Sequence, residues 1–275
     1  MSGAPRLSRE AFLRSSGVSL GTILVAGAGG LSYRAYDQGV LEPGRGPAYA
    51  PWSHWQEHRG LLPLVAAATL APSPHNAQAW LFRLAPYRVD LIADTSRGTG
   101  AIDPFQRELY VGLGAALENL VLAADAHGLV TTVALMPEGP QSAHAARIEL
   151  RSTPARESEL YRQIPRRHTD RYPYARGKEL PPAALRAMQS LTTSETPDAR
   201  LFCYASRAQR TRLGELIVAA TEAIVADPDQ ARSDYNWFRQ SWDEIQRRRD
   251  GITVDAAGLA PSSQPRSRSC CPPSP

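Results

Sequence analysis

Cysteine is scarce: three residues in a chain of 275, two of them adjacent at Cys270-Cys271. That supply supports neither a disulfide framework nor a zinc signature. The six histidines are scattered and no His-Glu-x-x-His or Cys-x-x-Cys spacing occurs, so no metal site is expected. His54 and His58 lie four apart and would share a helical face, either as a metal pair or as plain polar surface. Charge of one sign is modest too. The net +4 gathers largely in Arg166 to Lys178 and in Arg247-Arg248-Arg249, with no recognisable recognition motif, so no nucleic acid partner is expected. Gly-x-Ser-x-Gly, Gly-x-Gly-x-x-Gly and phosphate-loop patterns are all missing, which excludes a hydrolase nucleophile elbow and an ordinary dinucleotide fold. Ser73 and His75 make a poor hydrolase pair, because Pro74 separates them and no acid is placed to orient the histidine. Apolar residues are plentiful: 43% hydrophobic against 21% charged is the balance of a globular chain with a core.

The two ends stand apart from the rest. Residues 1–31 read as a leader, with Arg6, Arg9 and Arg14 ahead of an apolar stretch from Val18 to Leu31. The stretch suits a signal h-region and is short for a membrane span. Ser8-Arg9-Glu10-Ala11-Phe12-Leu13 resembles a twin-arginine signal with Glu10 in place of the second arginine. A cleaved signal and an uncleaved anchor both remain open, so the leader is compatible with a cytoplasmic, membrane-associated or exported chain. Residues 32–50 read as a linker, Gly- and Pro-rich from 37 on. Residues 260–275, rich in Pro, Ser and Arg, have no aliphatic residue beyond Ala260 and are expected to be disordered.

Between the ends, helical and strand-like patterns alternate, which gives an α+β or α/β domain over 51–259. The apolar run Leu61 to Leu70 predicts a helix. Trp80–Leu84 and Val89–Ala93 predict two strands with a turn at Pro86-Tyr87. Asp103-Pro104-Phe105-Gln106 reads as the start of a long, largely buried helix running to about His127, roughly 36 Å in length. Gly112 and Gly114 within it predict close packing against a helix or a ligand. Strands follow at Thr131–Leu135 and Ala145–Leu150. Helices are expected over 156–165, 181–191, from the Ser206-x-x-Gln209 capping box onward, and over 234–249, with a strand at 200–204.

Two polar clusters interrupt this pattern. Ala71-Pro72-Ser73-Pro74-His75-Asn76-Ala77-Gln78-Ala79-Trp80 places two prolines and four hydrogen-bonding side chains between a helix and a strand. Each proline forbids a continued helix and extends the residue before it. The segment reads either as a connector or as a site, since binding groups gather where elements end. Arg166-Arg167-His168-Thr169-Asp170-Arg171 combines guanidinium forks with a hydroxyl, a set that cradles phosphate. A solvated basic loop is the alternative.

Residues 71–80 resemble the Pro-Ser-x-x-Asn-x-Gln-Pro-Trp motif of the nitroreductase superfamily, with Ala79 in place of the usual proline. Asp103-Pro104, Arg107-Glu108 and Gly114-Ala115-Ala116-Leu117-Glu118-Asn119-Leu120 resemble its long core helix, and Arg167-His168-Thr169-Asp170-Arg171 its Arg-x-Ser-x-Arg/Lys segment. The order of the motifs is similar to the Acg-type branch, in which one chain carries two nitroreductase-like halves. The resemblance implies an α+β nitroreductase-like, FMN-dependent fold with a mixed sheet around long buried helices. Residues 51–155 would form the first half and 156–259 a partial, C-terminally truncated second half. It also implies FMN as cofactor. Pro72, Ser73 and Asn76 match positions that contact the isoalloxazine and ribityl part. Gln78 matches a position that supports the loop, and Arg167, His168, Thr169 and Arg171 match the phosphate and ribityl segment. No acid–base residue is implied, because the flavin carries the hydride. The implied activity is electron transfer from NAD(P)H to a small nitro or quinone compound. The alternatives are an FMN-holding protein without turnover and an inactive fragment. An incomplete half would expose apolar surface, which predicts self-association.

Overall fold

The computed structural model describes residues 44–169, 171, 180–190, 201–253 and 256. The expected leader (1–31), most of the linker, Asp170 and the Pro/Ser/Arg tail (260–275) lie outside the described residues. The described residues divide into two compact units, 44–50 with 240–249 and, in the second, those from 51 to 239 together with 250–253 and 256.

In the larger unit a short helix α1 (Pro51–His54) precedes α2 (Leu62–Thr69) and the polar loop. Strands β1 (Trp80–Ala85) and β2 (Arg88–Ala93) form a hairpin whose turn places Tyr87 at φ 57°. The long helix α3 (Arg107–Ala126) comes next, then β3 (Leu129–Leu135) and β4 (His144–Ser152). The strands make a four-stranded sheet in the order β1-β2-β4-β3, with a register shift at Leu91/Ile92. Every pairing in it is antiparallel, so the expected mixed sheet is corrected. Parallel neighbours need long crossovers, and here the tight turn and the 136–143 loop join neighbouring strands as hairpins. A separate two-stranded parallel ribbon, β5 (Phe238–Arg239) with β6 (Ile252–Thr253), lies later in the chain.

Period-two burial builds the core. Val89 and Leu91 of β2 face Ile148 and Ala146 of β4, their register partners, and all four are buried. Leu109, Leu113, Ala116, Leu120 and Ala123 of α3 join that core, and Leu64, Ala67 and Ala68 of α2, which packs on α3, extend it. Each fully buried Leu, Val or Ile side chain contributes about 1.5–3 kcal/mol. Helix α3 is long and apolar enough to cross a membrane, but this packing makes it the central helix of the domain.

The expectation of long buried helices holds for one face of α3 only. Val111 is 73% exposed, and the helix begins at Arg107 rather than near Pro104. Gln106 takes a left-handed backbone at φ 55°, and Asp103 caps from outside by accepting the Leu109 N–H at 3.1 Å. At 20 residues the helix is about 30 Å long, shorter than expected. Gly128 closes it at φ 71°, where a side chain would meet the Thr153 carbonyl at 2.8 Å.

In chain order, short helices α4 (Glu159–Gln163) and α5 (Pro182–Ser190) precede the second long helix, α6 (Arg207–Ala226), and α7 (Pro228–Tyr235) follows it. The Ser206–Gln209 capping box opens α6 as expected, yet α6 buries no residue. Residues 201–204 are irregular rather than a strand. The helix expected over 234–249 is broken. Tyr235 ends α7, 238–239 pair with 252–253, and Ser241 caps a new helix, α8 (Trp242–Arg248), by accepting the Glu244 N–H. A Cβ on Gly251 would lie 2.5 Å from the Trp237 carbonyl, so the ribbon requires glycine there.

In the smaller unit, α8 is tied to 45–48 through Gln246, which accepts the Ala48 N–H at 2.8 Å and donates to the Arg45 carbonyl at 2.9 Å.

Candidate functional site

The polar loop leaves the C-terminus of α2 and runs to β1. Its prolines end the helix, and Pro74–Asn76 forms a single 3-10 turn. His75, Asn76 and Gln78 all have positive φ, at 50°, 52° and 54°. Such a conformation costs a non-glycine residue about 1–2 kcal/mol, so surrounding contacts must impose it. Within the loop, Ser73 Oγ accepts the Gln78 N–H at 2.8 Å, the Ser73 carbonyl accepts the Asn76 N–H at 3.0 Å, and Gln78 Nε2 donates to Asn76 Oδ1 at 3.3 Å. Outside it, Arg97 Nε donates to the Ala77 carbonyl at 2.6 Å, and the Gly251 N–H to the Asn76 carbonyl at 3.2 Å. His75 Nε2 lies 2.6 Å from Asp234 Oδ1.

Gly112 of α3 backs the loop. A Cβ there would approach Pro74 Cδ at 3.1 Å and Ser73 Cα at 3.6 Å, whereas one on Gly114 would meet nothing within 4 Å. The close packing expected for both glycines therefore occurs at Gly112, and its partner is the loop.

The basic cluster follows α4 through a 3-10 turn at Ile164–Arg166. Buried Tyr161 and Ile164 anchor it, with Tyr161 edge-on to Trp55 at 5.3 Å between ring centroids. Arg167 then reaches back to α2, where its Nη2 donates to the Leu70 carbonyl at 2.8 Å. Leu70 is the C-cap of α2, so the arginine satisfies a carbonyl left free by the helix end. This bond brings the two clusters together, one residue before the loop motif begins. Among the described residues no carboxylate lies within ion-pair distance of Arg167, and its Nη1 donates to Thr169 Oγ1 at 3.4 Å. The guanidinium lies over the Trp52 ring at 5.8 Å, and His168 packs on the same ring at 4.3 Å. Burial lowers the Arg167 pKa. Partial desolvation against Trp52 first, and then the Arg167 charge, hold the otherwise exposed His168 below the usual histidine value, although a hydrogen bond to the backbone of Pro165 opposes them. His168 is therefore neutral at pH 7.

Pro72 and Asn76 are exposed and Ser73 and Gln78 half-buried, while His168, Thr169 and Arg171 are exposed. Sequence reasoning missed the supports: Arg97, Asp234, Arg239, Asp250 and Trp52. Trp52 sits in an aromatic stretch, but none of the others carries a local signal, because Arg97 and Asp234 reach Asp250 and His75 across more than 150 residues. Among the described residues no group of three or more His, Cys, Asp or Glu side chains is arranged to hold a metal. A depression of about 610 Å³ lined by Tyr87, Arg88, Thr132, Glu149 and Arg151 touches neither cluster.

No family model matches the chain. Among curated proteins, the chain is 31% identical over 134 residues to "Putative NAD(P)H nitroreductase Rv3131" of Mycobacterium tuberculosis (strain ATCC 25618 / H37Rv), a match covering 48% of this chain and 39% of that protein. It is 34% identical over 116 residues to "Putative NAD(P)H nitroreductase acg" of the same strain, covering 40% of this chain and 34% of the relative. The matches thus span well under half the length of these curated relatives. Over the matched stretches the chain is similar to these nitroreductases of the Acg type.

Proposed function

We propose that this nitroreductase-like chain is an FMN-dependent oxidoreductase that takes electrons from NAD(P)H and passes them to nitro or quinone compounds. The observation that carries the reading is the bond from Arg167 to the Leu70 carbonyl, which sets the anion-type cluster beside the polar loop. The names of the relatives, NAD(P)H nitroreductases, point the same way.

The side chains present fit FMN. Arg167, unmatched by a described carboxylate, and Arg171 would bind the phosphate, with the Thr169 hydroxyl as a further donor. Neutral His168 spends its one N–H on the Pro165 backbone and would offer a ribityl hydroxyl its acceptor nitrogen. Ser73 Oγ accepts the Gln78 N–H, so its own proton remains free to donate. Asn76 uses its Oδ1 within the loop and keeps its amide hydrogens for a ligand. Pro72 has no N–H and would present an apolar ring to the isoalloxazine. Bound FMN supplies the hydride and electron chemistry, and the residues of this chain bind and orient it.

Steady-state NAD(P)H oxidation by the full chain with added FMN, using a benzoquinone or a nitrobenzene derivative as acceptor, tests the activity. Acceptor-dependent oxidation above the rate of free FMN supports it. FMN uptake without turnover would instead favour a flavin-holding protein, and neither would leave the fragment reading.

A further inference from the structure

The three left-handed residues of the polar loop need an external restraint, and one network supplies it from the far end of the chain. Arg97 follows β2 in a 3-10 turn that Asp94 caps by accepting the Ser96 N–H. The Arg97 guanidinium faces two ways. Its Nε donates to the Ala77 carbonyl at 2.6 Å and its Nη2 to Asp250 Oδ2 at 2.6 Å. Asp250 is fixed in turn by Arg239, which donates to Oδ1 from Nε at 2.9 Å and from Nη2 at 2.8 Å. Arg239 is 3% exposed, and its Nη1 donates to the Asn236 carbonyl at 2.8 Å. Both guanidinium groups flank the Trp237 ring, at 5.9 and 5.6 Å from its centroid. One residue past Asp250, the Gly251 N–H holds the Asn76 carbonyl. Consecutive carbonyls of the loop, at 76 and 77, are thus gripped by one short segment and by the arginine that it orients.

A bifacial guanidinium between a carbonyl and a carboxylate is a directional device, since its fork fixes both partners in one plane. We infer that Arg97, oriented by the Arg239-held Asp250, is a positioning residue that keeps the Ser73–Gln78 loop in the left-handed form able to receive flavin. This rests on the flavin reading above. Arg97 touches only the backbone of Ala77 in the loop, so its effect on a ligand runs through the loop's conformation.

The test compares the full-length chain with Arg97→Gln and Asp250→Asn by amide hydrogen exchange and by FMN titration. Arg97→Gln leaves the Arg239–Asp250 pair in place and so isolates the loop contact. Exchange in peptides spanning Asn76–Ala79 is expected to speed up at least tenfold in both variants without FMN, with α3 peptides unchanged. The FMN dissociation constant is expected to rise at least tenfold. Unchanged loop exchange in Arg97→Gln overturns the proposal, as does a uniform rise across all peptides, which marks a general structural contact. If the parent chain takes up no FMN, the flavin reading fails, and loop exchange still decides whether the clamp exists. If Asp250→Asn does not fold, Arg97→Gln decides alone.

Discussion

Gly112 and Gly114 are two residues apart in one helix, and the structure predicts opposite outcomes for the same substitution. In a helix interior, Gly→Ala gains about 0.8–1.0 kcal/mol of propensity. At Gly114 the new methyl meets nothing within 4 Å, so Gly114→Ala should realise that gain. For a domain of this size that is a rise of roughly 2–4 °C in Tm. At Gly112 the methyl lies 3.1 Å from Pro74 Cδ and 3.6 Å from Ser73 Cα, and two prolines stiffen that loop. Relief of overpacking costs about 1–3 kcal/mol, which offsets the propensity gain and leaves Gly112→Ala neutral to about 2 kcal/mol destabilised. The loop would yield first, because α3 is locked into the core by Leu109, Leu113 and Leu120. Thermal unfolding of the two variants beside the parent measures the contrast, and FMN titration reads the displaced loop. Equal stabilisation by both substitutions, with unchanged FMN affinity, would refute the claim that α3 braces the site at Gly112.

Leu120, fully buried on α3, should lose about 2–5 kcal/mol on replacement by alanine, measurable by urea unfolding. Asp90, 1% exposed on β2, lies 2.9 Å from Arg147 Nε and 3.4 Å from Arg88 Nε. Burial pushes its pKa up, but the Arg147 hydrogen bond and the charges of Arg88, Arg147 and His144 outweigh it and hold the carboxyl low. A depressed carboxyl stabilises the fold above its unfolded value, about 3.9, and loses that contribution as pH falls through its folded value. Asp90→Ala should therefore destabilise the fold at pH 7, although Arg88 and Arg147 are partly exposed and solvent screens the lost pairing, and the difference from the parent should shrink below pH 4 in pH-dependent unfolding. His168 is linked in the same sense, at higher pH. Its neutral form is favoured by the fold, so protonation opposes folding as pH falls through the unfolded value of about 6.5. His168→Gln should flatten the stability profile between pH 7 and pH 5.

Local pattern made several elements legible. The alternation in 80–84 and 89–93, the 86–87 turn and the Ser206–Gln209 box all describe contacts within a few residues, and the structure contains each of them. Gly112 was legible as a close-packing position, though its partner was not, because that partner is 38 residues earlier at Pro74. The break near 236–241 was missed because the apolar spacing of Phe238, Trp242 and Ile245 suits a helix. What overrides it is pairing of 238–239 with 252–253 and the Ser241 cap. The all-antiparallel order of the sheet is likewise tertiary information. In the site, the two clusters stood out by composition, and the Arg167–Leu70 bond joins them. Arg97, Asp250 and Arg239 look ordinary in sequence, since the segment holding Arg239 and Asp250 meets Arg97 from some 150 residues away.

The central claim is that the two clusters together hold FMN. The most direct measurement is the visible absorption spectrum of the full chain after FMN is added and the excess removed by gel filtration, set beside an Arg167→Ala variant. The account predicts a retained flavin band at about 450 nm in the parent and its loss in the variant. A parent protein that emerges colourless, or a variant that keeps the flavin equally well, would contradict it.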